Sequence, residues 1–282
     1  MNITEAIAAA AARLEKSGVA EHRREASSLL RFVLDKDQTF LIAHPEYVLS
    51  ESEESEFNVV IERRAGREPY HYIVGTREFY GLDFEVSPGV LIPRPETEIL
   101  VEDAIAFCSN IDDPSIFEIG VGSGCISISL LYNLKNANGI AVDISSSALE
   151  IAAKNARRHG VFDRLKLCES SLFDNLEGRF DLIVSNPPYI PDSDLDGLQK
   201  EVVQYEPHSA LFGGADGLGI VRQIVAGAPD FLKPGGRLLI EIGFGQAEAV
   251  EKMFDTEIWS SVDFLLDFQG ISRVARADLR TP

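Results

Sequence analysis

Two short segments combine residue types that could do chemistry. The first, Phe117-Glu118-Ile119-Gly120-Val121-Gly122-Ser123-Gly124-Cys125, is an apolar run followed by glycines at alternate positions. Glycines spaced this way let a backbone turn tightly and approach a ligand where a side chain would collide. A dinucleotide fingerprint needs glycine or alanine at position 125, and Cys125 stands there, so the spacing is G-x-G-x-G. Nineteen residues beyond Gly124, Asp143 closes another apolar run, where an acid can accept hydrogen bonds from both hydroxyls of a ribose. Its competing role is to cap the following helix, which Ser145 or Ser146 could equally do.

The second segment is Val184-Ser185-Asn186-Pro187-Pro188-Tyr189, with Asn186 placed 43 residues after Asp143. A planar amide or amino nitrogen is a poor nucleophile because its lone pair is delocalised. If the Asn186 side-chain oxygen accepts from one N–H of such a group and the Pro187 carbonyl from the other, the nitrogen is held in line with an electrophile and lone-pair density builds on it. Tyr189 can stack on the planar group, and the prolines stiffen the loop and keep Asn186 out of helical geometry. No general base is required, since the nitrogen can lose its proton to water after transfer. A plain turn is the bland alternative for Asn-Pro, and its place at a strand end in a glycine-loop chain argues against that.

The elements that must position these residues are legible from periodicity. Beyond Pro114 we expect strands at about 115–119, 139–143, 165–169, 180–185 and 236–242, and helices at about 124–133, 146–158, 217–231 and 246–254. An antiparallel pair at 262–267 and 273–277, turning at Gln269-Gly270, closes the sheet. The class is α/β, with a parallel, doubly wound sheet whose ligands sit outside the carboxyl ends of the strands where strand order reverses, which sets Asn186 opposite the glycine loop. The first seventy-odd residues read instead as a helical bundle. Ile3, Ile7, Ala10, Ala11 and Leu14 recur at helical spacing behind a Thr4 cap and stop at Gly18. A second helix from about Glu21 buries Ala26, Leu29, Leu30 and Val33, and Asp37 opens a short element ended by Pro45. Ser50 with Glu53 forms a capping box for a helix carrying Phe57, Val60 and Ile61. Between the halves, period-two alternation over 76–90 predicts a β-hairpin, and Leu91-Ile92-Pro93-Arg94-Pro95 is a rigid exit. The expected domains are 1–75, a helical bundle; 76–95, a hairpin linker; and 96–282, the sheet domain that carries both motifs.

Composition narrows the function classes. The 282 residues carry 26 Lys plus Arg against 45 Asp plus Glu, a net charge of −19. Residues 1–75 contribute −4 and the remainder −15, so neither half offers the basic surface that nucleic-acid binding requires. With 45% hydrophobic residues the chain is an ordinary globular protein. Cys108, Cys125 and Cys168 are far apart and lack zinc spacings, so no metal is expected and the thiols read as buried groups in a reducing compartment. The N-terminus lacks signal-peptide character and no apolar run spans a bilayer. A cytoplasmic monomer is expected. The five histidines form no recurring spacing, and the acidic runs at 51–56 and 192–196 read as a solvated helix start and a mobile loop, the second a possible lid.

With these motifs in view, the chain resembles the PrmC/HemK family of release-factor glutamine N5-methyltransferases over essentially its full length. The resemblance is carried by Arg67-Glu68-Pro69-Tyr70-His71-Tyr72-Ile73-Val74-Gly75, Phe79 and Gly81, Leu91 through Glu98, the glycine loop with an acid two positions before Gly120, Asn186 through Ile190, Tyr205-Glu206-Pro207 with Ala210-Leu211, and Gly213-Gly214-Ala215-Asp216-Gly217. It implies the class I S-adenosylmethionine-dependent methyltransferase fold, Rossmann-like, and S-adenosylmethionine as cofactor. As substrate it implies the glutamine amide in the Gly-Gly-Gln loop of peptide-chain release factors. Carried over by position, it implies that Gly120, Val121, Gly122, Ser123 and Gly124 wrap the methionine end of the cofactor, that Asp143 holds its ribose and that Leu172 flanks its adenine. Asn186, Pro187, Pro188 and Tyr189 then bind the glutamine, with Asn186, Pro187 and Tyr189 carrying the chemistry and Asn186 also touching the cofactor. Ser171 departs from the acid common in the family and Glu118 from the usual aspartate, which puts cofactor affinity in question. The alternatives are an adenine amino-methyltransferase acting on DNA or RNA, which shares Asn-Pro-Pro-Tyr but needs a basic groove, and a binding module without turnover, against which stands the presence of every chemical residue.

Overall fold

The computed structural model describes residues 1–281, so Pro282, the end of the expected sheet domain, lies outside the described residues. The chain divides into two compact units, one comprising Met1–Thr76 with Gln199–Tyr205, the other Arg77–Leu198 with the chain from Glu206 onward.

The helical unit holds α1 (Ile3–Lys16), α2 (His22–Leu34), α3 (Gln38–Ala43), α4 (Glu51–Ala65) and α5 (Tyr70–Val74). The cap of α1 is Asn2 rather than Thr4: the Asn2 side chain accepts from the Glu5 N–H at 2.9 Å and the Glu5 carboxylate accepts from the Asn2 N–H at 3.0 Å. The reciprocal pair satisfies two helix-end donors that Thr4 cannot reach from inside the first turn. Ser50 and Glu53 form the same box at α4, and Asp37 caps α3. The apolar stripes meet in one core that includes Leu14, Ala26, Leu29, Leu30, Phe57 and Ile61. Leu34, not Val33, completes the buried stripe of α2. This fits the 3.6-residue period, which sets Leu34 four positions beyond Leu30.

From Arg77 on, the other unit opens with the hairpin of β1 (Thr76–Phe79), whose first residue ends the helical unit, and β2 (Leu82–Glu85). Its two-residue turn has φ of 51° at Tyr80 and 75° at Gly81, the doubly positive pattern that matches strand twist. The elements that follow are α6 (Glu98–Cys108), β3 (Ser115–Ile119), α7 (Cys125–Asn133), β4 (Asn138–Asp143), α8 (Ser146–Arg158), β5 (Leu165–Glu169), β6 (Phe180–Ser185), α9 (Lys200–Tyr205), α10 (Gly219–Phe231), β7 (Leu232–Glu241), α11 (Ala247–Glu251), β8 (Trp259–Leu266) and β9 (Ser272–Leu279). Of these, α9 packs within the helical unit. The sheet order is β5-β4-β3-β6-β7-β9-β8, parallel from β5 through β7 and antiparallel at β7-β9-β8. Strand β7 starts four residues earlier than expected because Lys233-Pro234-Gly235-Gly236 is absorbed as an irregularity in its pairing with β6.

Successive residues along the central strands alternate between two apolar layers. Ile116, Ala141, Leu182 and Leu239 face one layer, and Phe117, Val142, Ile183 and Ile240 face the other. This two-sided burial is what a parallel sheet between helices demands. Strand order reverses between β3 and β6, so the loops after Ile119 and Ser185 leave the sheet side by side, with Ile119 and Ser185 in register.

Candidate active site

The loop after β3 has φ of 78° at Gly120, 52° at Gly122 and 83° at Gly124. A Cβ added at Gly122 would project into open space, while one at Gly124 would stand 2.6 Å from Ile128 Cδ1 and 3.3 Å from Ala152 Cβ. One glycine therefore keeps a cradle clear and the other lets α7 close against α8. The Gly122 N–H donates to Asp143 Oδ2 at 2.9 Å and the Ser145 N–H to Oδ1 at 2.9 Å. Ser145, rather than Asp143, caps α8, so the Asp143 carboxylate ties two loops together at the carboxyl end of the sheet.

Beneath this loop Glu118 is 1% exposed and accepts from both the N–H and the hydroxyl of Ser127. Burial pushes its carboxyl up to about 8, against the two Ser127 hydrogen bonds and with the Asp143 charge adding to the rise. Burial likewise pushes the Cys125 thiol up to about 12, which leaves it protonated and unreactive at neutral pH.

A single cavity collects most of the residues singled out in the sequence. Gly120, Val121, Gly122, Ser123, Asp143, Leu172, Asn186 and Pro188 all line it, as do Glu118 and Ser171. Gly124, Pro187 and Tyr189 are not among its walls. Leu172 holds φ of 51°, a left-handed conformation unusual for leucine and typical of functional loops.

The motif loop is fixed from two sides. Its backbone is held by a bridge to the glycine-rich segment beyond: the Ile190 N–H donates to the Leu211 carbonyl at 2.9 Å and the Gly213 N–H to the Ile190 carbonyl at 3.0 Å. A Cβ at Gly217, where φ is +73°, would lie 2.2 Å from the Tyr189 carbonyl oxygen. Gln246 Nε2 also donates to that oxygen at 2.9 Å. On the side-chain side, Asn186 Nδ2 donates to Thr97 Oγ1 at 3.1 Å, Thr97 Oγ1 donates to Glu241 Oε2 at 2.5 Å, and the Tyr189 hydroxyl donates to Glu241 Oε1 at 3.3 Å. Burial pushes the Glu241 carboxyl up to about 7, opposed by its Thr97 and Tyr189 hydrogen bonds and raised further by the Glu96 charge. Burial, then the Glu241 charge and hydrogen bond, also raise the Tyr189 phenol, so Tyr189 keeps its proton and is no base. Glu206 braces the segment that enters α6, accepting from Arg94 Nη2 at 2.6 Å and from the Ile92 N–H at 3.3 Å.

Sequence reasoning left Thr97 and Glu241 without a role. Thr97 stands in the Leu91 through Glu98 segment that carries the resemblance, and Glu241 ends the apolar run Leu238-Leu239-Ile240. An acid at the end of a buried strand is itself a signal, because burying a carboxylate is costly unless it has donors to accept from.

The cavity fits S-adenosylmethionine on the observations given. The cradle at Gly122 is clear of side chains, Ser123 Oγ is buried with no hydrogen-bond partner among the described residues, Glu118 and Asp143 both border the loop, and the walls are mainly apolar.

Comparison with known proteins agrees. Residues 5–75 match the model of the PrmC N-terminal domain and residues 97–205 that of the methyltransferase small domain. The release factor glutamine methyltransferase of Geobacter sulfurreducens is 46% identical over 93% of this chain and 91% of its own length. The bifunctional methyltransferase of Rickettsia felis is 38% identical over 97% of this chain, which spans only 57% of that relative. Among solved structures, a methyltransferase from Pyrococcus furiosus superposes with a TM-score of 0.51 at 18% identity, over 72% of this chain and 91% of that one. The sheet, its switch point and its antiparallel closure are those of a class I S-adenosylmethionine-dependent methyltransferase. By its relatives and by the match of both halves, the chain belongs to the release factor glutamine methyltransferase family.

Proposed function

We propose that this protein transfers a methyl group from S-adenosylmethionine to the side-chain amide nitrogen of the glutamine in the Gly-Gly-Gln loop of peptide-chain release factors. The observation that carries this reading is the placement of Asn186 at the switch point, beside the glycine loop and on the wall of the same cavity. When bound, the cofactor supplies an electrophilic methyl on a sulfonium. In this reading Gly120 through Gly124 and Glu118 hold its methionine end, Asp143 its ribose and Leu172 its adenine.

The protein's own residues do the rest by positioning. Asn186 Oδ1 and the Pro187 carbonyl accept from the two N–H bonds of the glutamine amide, which orients the nitrogen and offsets the delocalisation of its lone pair. Tyr189, raised above its ordinary range, stays neutral and packs against the amide plane. Pro187 and Pro188 hold the carbonyls in place. The helical unit serves release-factor docking. The relatives give the adenine alternative no support, and the acid excess of the chain opposes it.

The test is transfer of labelled methyl from S-adenosylmethionine to a purified release factor. Label should appear on the wild-type acceptor and vanish when the loop glutamine is replaced by alanine; label that persists on the altered acceptor overturns the proposal.

A second expectation concerns Glu118. In the free chain its carboxyl, at about 8, is largely protonated at pH 7. A cation in the cavity favours the ionised form and lowers that value, so donor binding should release a proton near pH 7 to 8. Release should fade well above pH 8, where the carboxyl is already ionised before binding. Titration calorimetry in two buffers of different ionisation enthalpy reads the proton count. The Glu118→Gln variant should lose it, and equal counts in variant and wild type would remove Glu118 from this role.

A further inference from the structure

The chain of hydrogen bonds behind Asn186 has a direction, and that direction decides which end of the amide faces the substrate. Glu241 is 2% exposed and receives hydroxyls on both oxygens, Thr97 on one and Tyr189 on the other. At pH 8.5, above the value of about 7 to which burial raises its carboxyl, Glu241 is ionised, and an ionised carboxylate can only accept. The single Thr97 proton is thus committed to Glu241, and the Thr97 oxygen can meet Asn186 only as an acceptor. Asn186 must turn its NH2 to Thr97, which leaves Oδ1 directed to the cavity that Asn186 lines. Among the described residues Oδ1 accepts no hydrogen bond. We infer that Glu241 and Thr97 are positioning residues that lock the Asn186 amide with its oxygen toward the substrate nitrogen, the orientation in which it can accept an N–H.

This inference rests on the role of Asn186 in the reading above, and it makes a claim that reading does not. Without the lock, a primary amide has two nearly isosteric orientations. In the wrong one it presents a donor to a nitrogen that must itself donate. The Asn186 side chain reaches its anchor across 89 residues of sequence and Thr97 reaches Glu241 across 144, so the lock is assembled only in the folded unit. The backbone clamps on Tyr189 and Ile190 place the loop but leave the amide free to turn about its own bond.

Three variants test this at pH 8.5. Thr97→Val keeps the shape and removes both hydrogen bonds. Glu241→Met keeps the volume and frees the Thr97 proton to reach Asn186. Thr97→Ser keeps the hydroxyl. Thr97→Val and Glu241→Met should lower kcat about 10- to 100-fold with the cofactor Kd and the acceptor KM within about threefold, and Thr97→Ser should recover most of what Thr97→Val loses. Selective 15N labelling of asparagine, with the Asn186 side-chain signal identified by its absence in Asn186→Ala, supplies a readout independent of turnover. One Asn186 Nδ2 proton should exchange with solvent at least about tenfold more slowly in wild type than in either variant. A kcat within threefold of wild type in Thr97→Val, or equal Nδ2 exchange in all chains, overturns the inference. A wild-type chain that methylates no release factor overturns the functional reading instead, and the exchange comparison then decides the inference alone.

Discussion

Replacing Asn186 with alanine is expected to lower kcat by about two to three orders of magnitude while leaving donor affinity within about threefold. The side chain stands one residue beyond β6, whose last residue Ser185 donates through Oγ to the Ile119 carbonyl at 2.8 Å, fixing the motif loop to the strand that feeds the glycine loop. Donor binding draws on Glu118, Gly120 through Gly124, Asp143 and Leu172 as well as on the contact Asn186 itself makes, and alanine removes only that one contact. The loop backbone survives because it is held through Ile190, Gly213 and Gln246 rather than through the Asn186 side chain. What disappears is an acceptor that matters most as the glutamine nitrogen gives up its delocalised lone pair, so the loss falls on kcat and on kcat/KM together. Single-turnover transfer with saturating donor, alongside calorimetric donor affinity, checks both halves. A fall in donor affinity as large as the fall in rate would reassign Asn186 to cofactor binding.

The parts of this site that were legible in the sequence are those in which local pattern and chemistry coincide. Gly120, Gly122 and Gly124 share one loop, Asp143 ends a strand whose apolar run marks it, and Asn-Pro-Pro-Tyr is contiguous. Each is a property of fewer than ten residues, and the βαβ alternation supplies the rule that gathers them at one end of the sheet. Thr97 and Glu241 were not legible as partners, because a threonine at a helix entrance and an acid at a strand end have ordinary local uses, and only the fold brings them to 2.5 Å. The displaced cap at α1 has a similar origin: Thr4 and Asn2 are both good capping residues, and Glu5 at the third helical position selects Asn2. The early start of β7 was hidden by Pro234-Gly235-Gly236, which reads locally as a turn but here continues a parallel edge through an irregular register.

Least legible of all was α9. It follows the motif loop in sequence, yet it belongs to the helical unit, and the reason is a cluster of charges separated by well over a hundred residues. Arg64 is 6% exposed. It donates to the Glu25 carboxylate, to Glu201 Oε1 at 3.0 and 3.1 Å, and to the Glu68 carbonyl at 3.3 Å. Arg67 donates to Glu201 Oε2 at 2.5 Å and, at the other end of its fork, to the Gly18 carbonyl beyond α1 at 2.5 Å. A periodicity reading sees Arg64 as a cation in the last turn of α4, where it suits the helix dipole, and has no means of foreseeing which carboxylates will be buried around it.

The second large effect is therefore expected from Arg64→Ala, which should destabilise the helical unit by about 3–5 kcal/mol, the usual consequence of removing one partner from a buried charge cluster. Two carboxylates, Glu25 and Glu201, lose a shared donor. Arg67 can still serve Glu201, whereas Glu25 loses the one cation it pairs with among the described residues. The pH dependence has a definite sign. Burial works against the charge on Glu201, but Arg67 and Arg64 hold its carboxyl below the ordinary value. Its contribution is thus fully present above the unfolded carboxyl range near pH 4.5 and is lost as pH falls through the lower folded value. The difference between wild type and Arg64→Ala should accordingly be large at pH 7 and shrink toward pH 3. The lone tryptophan, Trp259, sits in the other unit and cannot report this change, so amide hydrogen exchange along α1, α2 and α4 is the measurement of choice. Protection there should fall by two orders of magnitude or more at pH 7, together with faster exchange in α9, while protection in β3, β4 and β6 holds. Unchanged protection in α2 and α9 would mean that the cluster is a solvated surface network rather than the fastener of this unit.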